Sequence, residues 1–538
     1  MGENRKIELK SKHSSSALMF FLASIIILVL IQLSLPLGLM YFLVTLVVFL
    51  MGREARANYG VLEKSGVPVI EPTLFLGSEP DFHRRIHHLA DIERFKKYGE
   101  IWGSYIGRIP HIFITDPHLI RQIFVKDFIH FGDRPDIDFG CDLMNEILEF
   151  KKGETWKLLR SFISPLFSTS KLKVMSEVIN SSASEFISDL KSECFSSNPG
   201  SPGRVKLDCK RRLETCLIDM LARTTLKIRL EDSKNPDNQF AQAFRTILHE
   251  EAEYNWLYTL SLSFPFLQRL APLYMDEPTR LLDTTFRTVI QNRIKSGAST
   301  SKDFVDLLCD LWKRVERGEF DKFGFTQTTV LSQCALIFLG GYETTASMLS
   351  HLLWYMANHP EIQEKMYAEL EEALESNPNG GQIDHELIND MSIPFISSCI
   401  NETLRLSPTI YRPERICNKD WEHEGISIKK GTVVMIPTWA ANRNPKYYPD
   451  EPDKFKPERF LQENKVMMME PYTFTSFGFG PRNCIGMRFA YESLKLFACN
   501  IVKNFRVELR TDSVLEYKAG HPIVIAFYPL YLDLVERD

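Results

Sequence analysis

Apolar residues run without a single charge from Ala17 to Met51, a stretch of 35 positions. About 20 apolar residues suffice to cross a bilayer, so this run exceeds one ordinary crossing. It is also too long for a signal-peptide core, and no small-residue cleavage signal follows it. Pro36 and Gly38 divide it. Two arrangements fit the pattern. One is a single tilted anchor from Ala17 to about Pro36, with the remainder in the interface. The other is a helical hairpin, Ala17–Leu35 out and Leu37–Met51 back. Arg5, Lys6, Lys10 and Lys12 precede the run, and Arg53, Arg56 and Lys64 follow it. Positive charge on both flanks favours two cytoplasmic ends, whereas a second arm of about 15 residues is short for a span. The Met-Gly start lacks Ser or Thr at position six, which excludes N-myristoylation.

Beyond the apolar run the periodicity is mostly helical, with strand pieces near both ends. Ser65–Pro72 carries Gly66, Pro68 and Pro72 and reads as a stiff extended link. Glu100–Ile114 alternates apolar and polar positions around Gly103 and Gly107, the pattern of a hairpin. Long helices are expected at Ser176–Glu193, Gln327–Asn358 and Glu361–Glu375, with strand-like runs at Gly431–Pro437 and Ile523–Leu532. Ser196–Gly203 and Asn377–Gly381 read as exposed loops. Length alone suggests three or four domains at about 150 residues each, yet no linkers divide the chain. The expectation is one body, mainly α with smaller β-sheets (α+β).

Composition narrows the function by exclusion. A net charge of −5 with no basic run is the wrong footprint for nucleic acid. The 10 cysteines are scattered, and none forms a C-x-x-C pair. That argues for a reducing, cytosol-facing body with most thiols in the core. His249-Glu250 begins like a zinc-protease helix, but Glu253 stands where the second histidine is needed. No nucleophile-elbow or phosphate-loop pattern occurs.

The strongest chemical signal is FGFGPRNCIG, Phe477 to Gly486, leading into a periodic helix at Met487–Phe505. A cysteine at a helix entrance gains from the positive end of the dipole and from unpaired N–H groups. Such a sulfur suits a haem iron, where thiolate donation favours O–O cleavage. Gly480 permits the tight turn, and Gly486 removes a side chain where a flat macrocycle would approach. Arg482 can reach a haem propionate, and Phe477 can cover the sulfur. A dinucleotide loop is the competing reading of Gly478-Phe479-Gly480, but Asn483 replaces the third glycine.

The signature F-x-x-G-x-R-x-C-x-G resembles that of the cytochrome P450 superfamily. The run PRNCIGMRFA is especially similar to the microsomal branch that holds vertebrate family-3 and insect family-6 enzymes and thromboxane synthase. The resemblance implies a haem domain over residues 76–538, behind a polar segment (1–16), a membrane anchor (17–51) and a link (52–75). It implies haem b (iron protoporphyrin IX) with Cys484 as the axial metal ligand. Gly340-Gly341-Tyr342-Glu343-Thr344-Thr345 then looks like the distal helix, two mid-helix glycines each costing about 1 kcal/mol. There Thr344 would hydrogen-bond the dioxygen and Glu343 would feed protons toward it. Glu402 and Arg405, with Arg459 of the Pro457–Phe460 run, would form the structural triad that locks the approach to the cysteine turn. Trp156, Arg160 and Arg415 would join Arg482 on the propionates.

The same resemblance implies a monooxygenase that inserts one atom of O₂ into a lipophilic xenobiotic, steroid or fatty-acid-like substrate. Candidate linings are Phe139, Leu257, Tyr258, Phe264, Phe266, Phe338, Ile410 and Tyr411, with Trp256–Phe266 apolar enough to dip into a membrane. No flavin or nicotinamide motif is present, so electrons are expected from NADPH–cytochrome P450 reductase, with cytochrome b5 as a second donor. Lys151, Lys152, Lys157, Lys171 and Lys173 offer a docking face. The expected location is the endoplasmic reticulum membrane, catalytic domain toward the cytoplasm. A haem-thiolate isomerase needing no external electrons and a non-catalytic haem sensor are the alternatives. Neither has use for an intact Glu343–Thr344 pair.

Overall fold

The computed structural model describes residues 37–537, apart from 140, 198–202, 231–234, 236–237, 249–255, 265–266, 268–275, 298–302, 378, 462–469 and 522–523. The first arm of the apolar run, the His249–Glu253 segment and Phe266 therefore lie outside the described residues. The longer helices, in chain order, begin with α1 (Leu37–Ala55), α2 (His87–Tyr98), α3 (Gly153–Ile163) and α4 (Thr169–Ser197). They continue with α5 (Cys209–Leu221), α6 (Gln239–Ile247), α7 (Trp256–Ser263), α8 (Asp276–Ser296) and α9 (Phe304–Glu316). The last four are α10 (Gln327–Asn358), α11 (Pro360–Ser376), α12 (Pro394–Leu406) and α13 (Met487–Asn504).

Three small sheets complete the α+β architecture. The hairpin β1 (Ile101–Ile106) and β2 (Ile109–Ile114) pairs Ile101 with Ile114 across a turn at Gly107. The next strands in the chain are β3 (Arg204–Asp208), β4 (Glu414–Ile416), β5 (Trp421–His423), β6 (Ile426–Ile428) and β7 (Val433–Met435), followed by β8 (Phe505–Leu509) and β9 (Tyr531–Glu536). One sheet runs β1-β2-β7-β4, another β3-β9-β8, and β5-β6 form a short ribbon. The expected strand at Ile523–Leu532 is displaced. Val524 and Phe527 make isolated bridges to Ile410 and Tyr517, and the strand itself begins at Tyr531.

The core is built around α10, which is apolar on nearly all sides. Its start is set by a reciprocal cap, Thr326 accepting from the Thr329 amide while Thr329 accepts from the Thr326 amide. Helices α5, α12 and α13 pack against it. An all-round apolar helix is stable only when wrapped in this way.

At the other end, α1 does not stop at the last apolar residue but continues through Arg53 and Glu54 to Ala55. Glu54 pairs with Arg108, and Asn58 donates to the Arg108 carbonyl (3.0 Å), which joins the helix to the β1–β2 turn. Residues 52–75 are packed rather than free. Ala55 and Leu62 are buried, and Ile70 donates to the Gly103 carbonyl (2.9 Å). Leu257 and Leu260 of α7 pack beside Met51 and Phe75, and Phe42 and Phe49 of α1 and Trp256 of α7 are exposed. One helix long and apolar enough to cross a membrane, Gly38–Ala55, is present among the described residues.

Candidate active site

The cysteine turn is held by backbone geometry that only glycine tolerates at one point. Gly480 has φ +71°, and a Cβ there would lie 2.0 Å from the Phe124 carbonyl oxygen. Gly486 differs. Its φ is −92°, and the nearest atom to an added Cβ is Phe167 Cε1 at 3.8 Å. Neither backbone nor protein packing requires glycine at 486, so the bare surface beside the sulfur suits a group other than protein. The Cys484 amide donates to the Phe477 carbonyl (2.9 Å). Its side chain is accessible, yet the atoms around it withdraw enough water to push the thiol up to about 11. The Gly486 amide and Arg160 pull the other way. A thiol in that state is neutral at physiological pH, and a metal ion at the sulfur would make it a thiolate.

Around the turn lies a cluster of guanidinium groups with too few carboxylates. Trp156, buried on α3, has the Arg482 guanidinium over its ring at 4.3 Å and that of Arg160 at 5.8 Å. Arg160 donates to the Asn483 carbonyl (2.9 Å) and side chain (3.0 Å). Arg482 donates to the carbonyls of Gly132 and Lys151 and stands 3.5 Å from Asp133. Burial lowers its pKa to about 10, with Arg134 adding like-charge repulsion. Arg415 is 1% exposed, makes no ion pair among the described residues, and its Nε has no hydrogen-bond partner there. Burial, reinforced by Arg134 and Arg482, holds it well below the usual arginine range. A buried cation without a counter-ion is costly, so this corner suits anionic groups. A porphyrin whose iron reaches Cys484 and whose propionates reach these arginines fits the donor set.

Through the middle of α10 most positions are buried, but Leu336, Ile337, Gly340, Gly341 and Thr344 are not. The spacing of three and four among the last four places them on one face, an open stripe in the enclosed middle of the helix. Nothing lies within 4 Å of a Cβ built on Gly340. The Thr344 hydroxyl donates to the Gly340 carbonyl (2.7 Å), drawing that carbonyl's bonding toward a side chain. Glu343 turns elsewhere. It is fully buried, 2.9 Å from Lys210 Nζ on α5, and accepts from the Ser347 hydroxyl (3.1 Å). Because α13 packs against α10, the cysteine turn and the open stripe belong to one helix pair.

Glu402, Arg405 and Arg459 come together in the core. Arg405 donates to Glu402 from Nε (2.7 Å) and Nη2 (2.8 Å), and Arg459 Nε donates at 3.3 Å. Arg405 also binds the carbonyls of Asn442 (2.8 Å) and Pro452 (2.7 Å). Asn442 accepts from the Thr475 amide (3.0 Å), so the cluster is two bonds from the residue preceding Ser476 and Phe477.

Several expected lining residues are packing residues instead. Phe338 is fully buried, its ring 5.2 Å from Phe244, 5.4 Å from Phe240 and 5.8 Å from Phe286. Tyr258 packs on the β1–β2 sheet, Phe264 packs beside Ala55, and Tyr411 donates to the His521 carbonyl (2.7 Å). Phe139 packs at a tilt against Phe150, ring centroids 5.0 Å apart. Sequence reasoning missed Lys210, whose partner lies far away in the chain, and Asn483, the acceptor for Arg160. Lys210's only local signal is Glu214 four residues on.

A model of the family described as Cytochrome P450 matches residues 67–529. Among relatives, cytochrome P450 3A16 of Mus musculus is 31% identical over 506 residues, covering 92% of this chain and 96% of its own. Lithocholate 6-beta-hydroxylase of Mesocricetus auratus is 32% identical over 492 residues, covering 89% and 93%. Cytochrome P450 3A6 of Oryctolagus cuniculus is 31% identical over 490 residues, covering 90% and 94%.

Proposed function

The chain belongs to the cytochrome P450 family and is a haem-thiolate monooxygenase; we propose that its substrate is a lipophile of steroid or xenobiotic size, oxidised at a membrane surface. The observation that carries the site assignment is the accessible Cys484 thiol beside a cluster of arginines, of which buried Arg415 makes no ion pair among the described residues. In this reading Cys484 ligates the iron, and Trp156, Arg160, Arg415 and Arg482 hold the propionates. Phe477 keeps water from the sulfur, while Gly480 and Gly486 shape the turn and its bare face. When bound, the haem supplies activation of O₂ and transfer of one oxygen atom. Thr344 donates or accepts a proton at the open stripe, and Glu343 supplies protons to it. Glu402, Arg405 and Arg459 fix the backbone on which the turn is built.

Electrons arrive from NADPH through NADPH–cytochrome P450 reductase, with cytochrome b5 as a second donor. The basic face supports this docking: Lys157 is exposed, and Lys152 and Lys173 are engaged only in surface pairs with Asp136 and Glu386 (2.6 Å each). A partner's carboxylates can replace such pairs at little cost. The body sits on the cytoplasmic side of the endoplasmic reticulum membrane, anchored by the apolar N-terminal region. At 1.5 Å per residue the 19 residues of α1 extend about 28 Å, close to the roughly 30 Å of a hydrocarbon core. Its end meets α7, where Met51 packs with Leu257 and Leu260.

The test is reconstitution of the full-length protein in vesicles with a panel of lipophilic substrates. Product formation that depends on NADPH and reductase is expected. Conversion of a peroxide substrate without either would overturn the reading in favour of an isomerase. No feature among the described residues favours the isomerase or the sensor.

A further inference from the structure

The chain between Phe139 and α3 is pinned to the start of α10 by side chains from both. Gln333 is fully buried; its Oε1 accepts from the Leu148 amide (3.1 Å) and its Nε2 donates to the Glu146 carbonyl (3.1 Å). One carboxamide thereby holds both ends of the Glu146–Leu148 stretch. One turn earlier, Thr329 donates its hydroxyl to Glu146 Oε2 (2.7 Å) and accepts from the Thr326 amide (3.0 Å) in the cap that begins the helix. Gln333, Ile337, Gly340 and Thr344 stand at intervals of four, three and four, so they share a face. The Glu146–Leu148 stretch therefore closes the open stripe at its N-terminal end and walls the substrate space over it.

The same wall reaches the basic face. Lys151 Nζ stands 2.5 Å from Glu146 Oε2, the oxygen that Thr329 uses. The Lys151 side chain is 17% exposed and that of Glu146 25%, so the pair lies where the wall meets solvent. Lys152, next in the chain, makes a surface pair with Asp136 (2.6 Å). Two donors thus compete for one carboxylate oxygen. An ammonium there satisfies the charge and weakens its pull on the hydroxyl. Without the ammonium, the charge is left beside the N-terminus of α10, where unpaired amides and the helix dipole attract an anion.

We propose that Glu146 is a positioning residue for the substrate wall and that Lys151 sets its grip. When an acidic electron donor docks, its carboxylates draw the Lys151 ammonium outward and repel Glu146. The Glu146 carboxylate then tightens on Thr329 and the helix start, and the wall closes over the stripe. The coupling is reciprocal, so a substrate that favours the closed wall strengthens docking by the same factor. It rests on the docking face proposed above. A plain surface tie between Lys151 and Glu146 would give the opposite sign, a looser wall once the ammonium is gone.

The test uses the haem-loaded full-length protein and 1-phenylimidazole, whose spectral shift on ligating the iron reports its affinity without turnover. Wild type, Lys151→Met, Glu146→Gln and the double variant are compared at equal haem content, with and without saturating NADPH–cytochrome P450 reductase. Reductase should tighten probe binding to wild type about threefold, a size that a partly exposed ion pair can supply. Lys151→Met should bind the probe about threefold tighter on its own and gain nothing further from reductase. Glu146→Gln, with no charge to exchange, should abolish both effects, alone and in the double variant. Weaker or unchanged binding in Lys151→Met, or a gain that survives Glu146→Gln, overturns the proposal. So does an unchanged wild-type affinity with a reductase that does reduce the haem. If reductase neither reduces the haem nor alters probe binding, while the Lys151→Met gain appears and Glu146→Gln cancels it, the docking face falls and the positioning role of Glu146 stands.

Discussion

Replacing Glu402 by glutamine removes the charge that two buried guanidinium groups share. The wild-type carboxylate is 0% exposed and accepts four hydrogen bonds, two from Arg405, one from the Lys456 amide (2.8 Å) and one from Arg459. A carboxamide keeps the shape but leaves Arg405 and Arg459 without a counter-ion and turns an acceptor into a donor. Breaking one partner of a buried pair costs about 3–5 kcal/mol, a large part of a total stability of about 5–15 kcal/mol. At about 2.1 cal/mol/K per residue, a body of roughly 460 residues shifts its melting temperature by about 1 °C per kcal/mol, so about 3–5 °C is expected. Scanning calorimetry of the haem-loaded protein reads that shift. The damage should also reach the cysteine turn, because Arg405 binds the Asn442 carbonyl and Asn442 accepts from Thr475. Haem content after purification should therefore fall as well. A variant with an unchanged melting temperature and full haem content would refute the idea that this cluster supports the turn.

Three further outcomes follow from the same contacts. Gly480→Ala should strip haem from the protein, since the added Cβ meets the Phe124 carbonyl at 2.0 Å and left-handed backbone costs a further 1–2 kcal/mol or so; a fully loaded variant would count against the turn geometry. Arg415→Met should raise the melting temperature of haem-free protein while lowering haem retention, because the guanidinium is a poorly compensated buried charge until an anion arrives; a rise or a fall in both stability and haem retention would contradict this. His351 is pushed down to about 4 by burial, so the folded state keeps it neutral while the unfolded chain protonates near 6.5. Its contribution is therefore complete above about pH 6.5 and declines by about 1.4 kcal/mol per pH unit on acidification toward 4. Denaturant titrations of His351→Gln should show that slope reduced by one proton, and an unaltered slope would sink the assignment.

What the sequence makes legible is what is local. Phe477, Gly480, Arg482 and Cys484 lie within eight positions, so their spacing alone carries the chemistry, and the β1–β2 hairpin is written in alternation around one turn. The start of β9 was not readable, because Tyr531–Glu536 becomes a strand by pairing with β3 on one side and β8 on the other, a tertiary condition. Phe338 was read as a lining residue from the family resemblance, yet three phenylalanines from α6 and α8 enclose it. Lys210's local signal points only to Glu214, since its carboxylate partner on α10 is brought to it by packing of α5. Isolation in the chain hides ion pairs in a way it does not hide turns.

The central claim is that Cys484 is the sulfur ligand to a haem iron. It is tested most directly by the absorption spectrum of the reduced carbon monoxide complex in Cys484→Ser protein that still binds haem. The red-shifted band that marks thiolate ligation should be present in wild type and absent from the variant. Its survival in the variant would contradict the account.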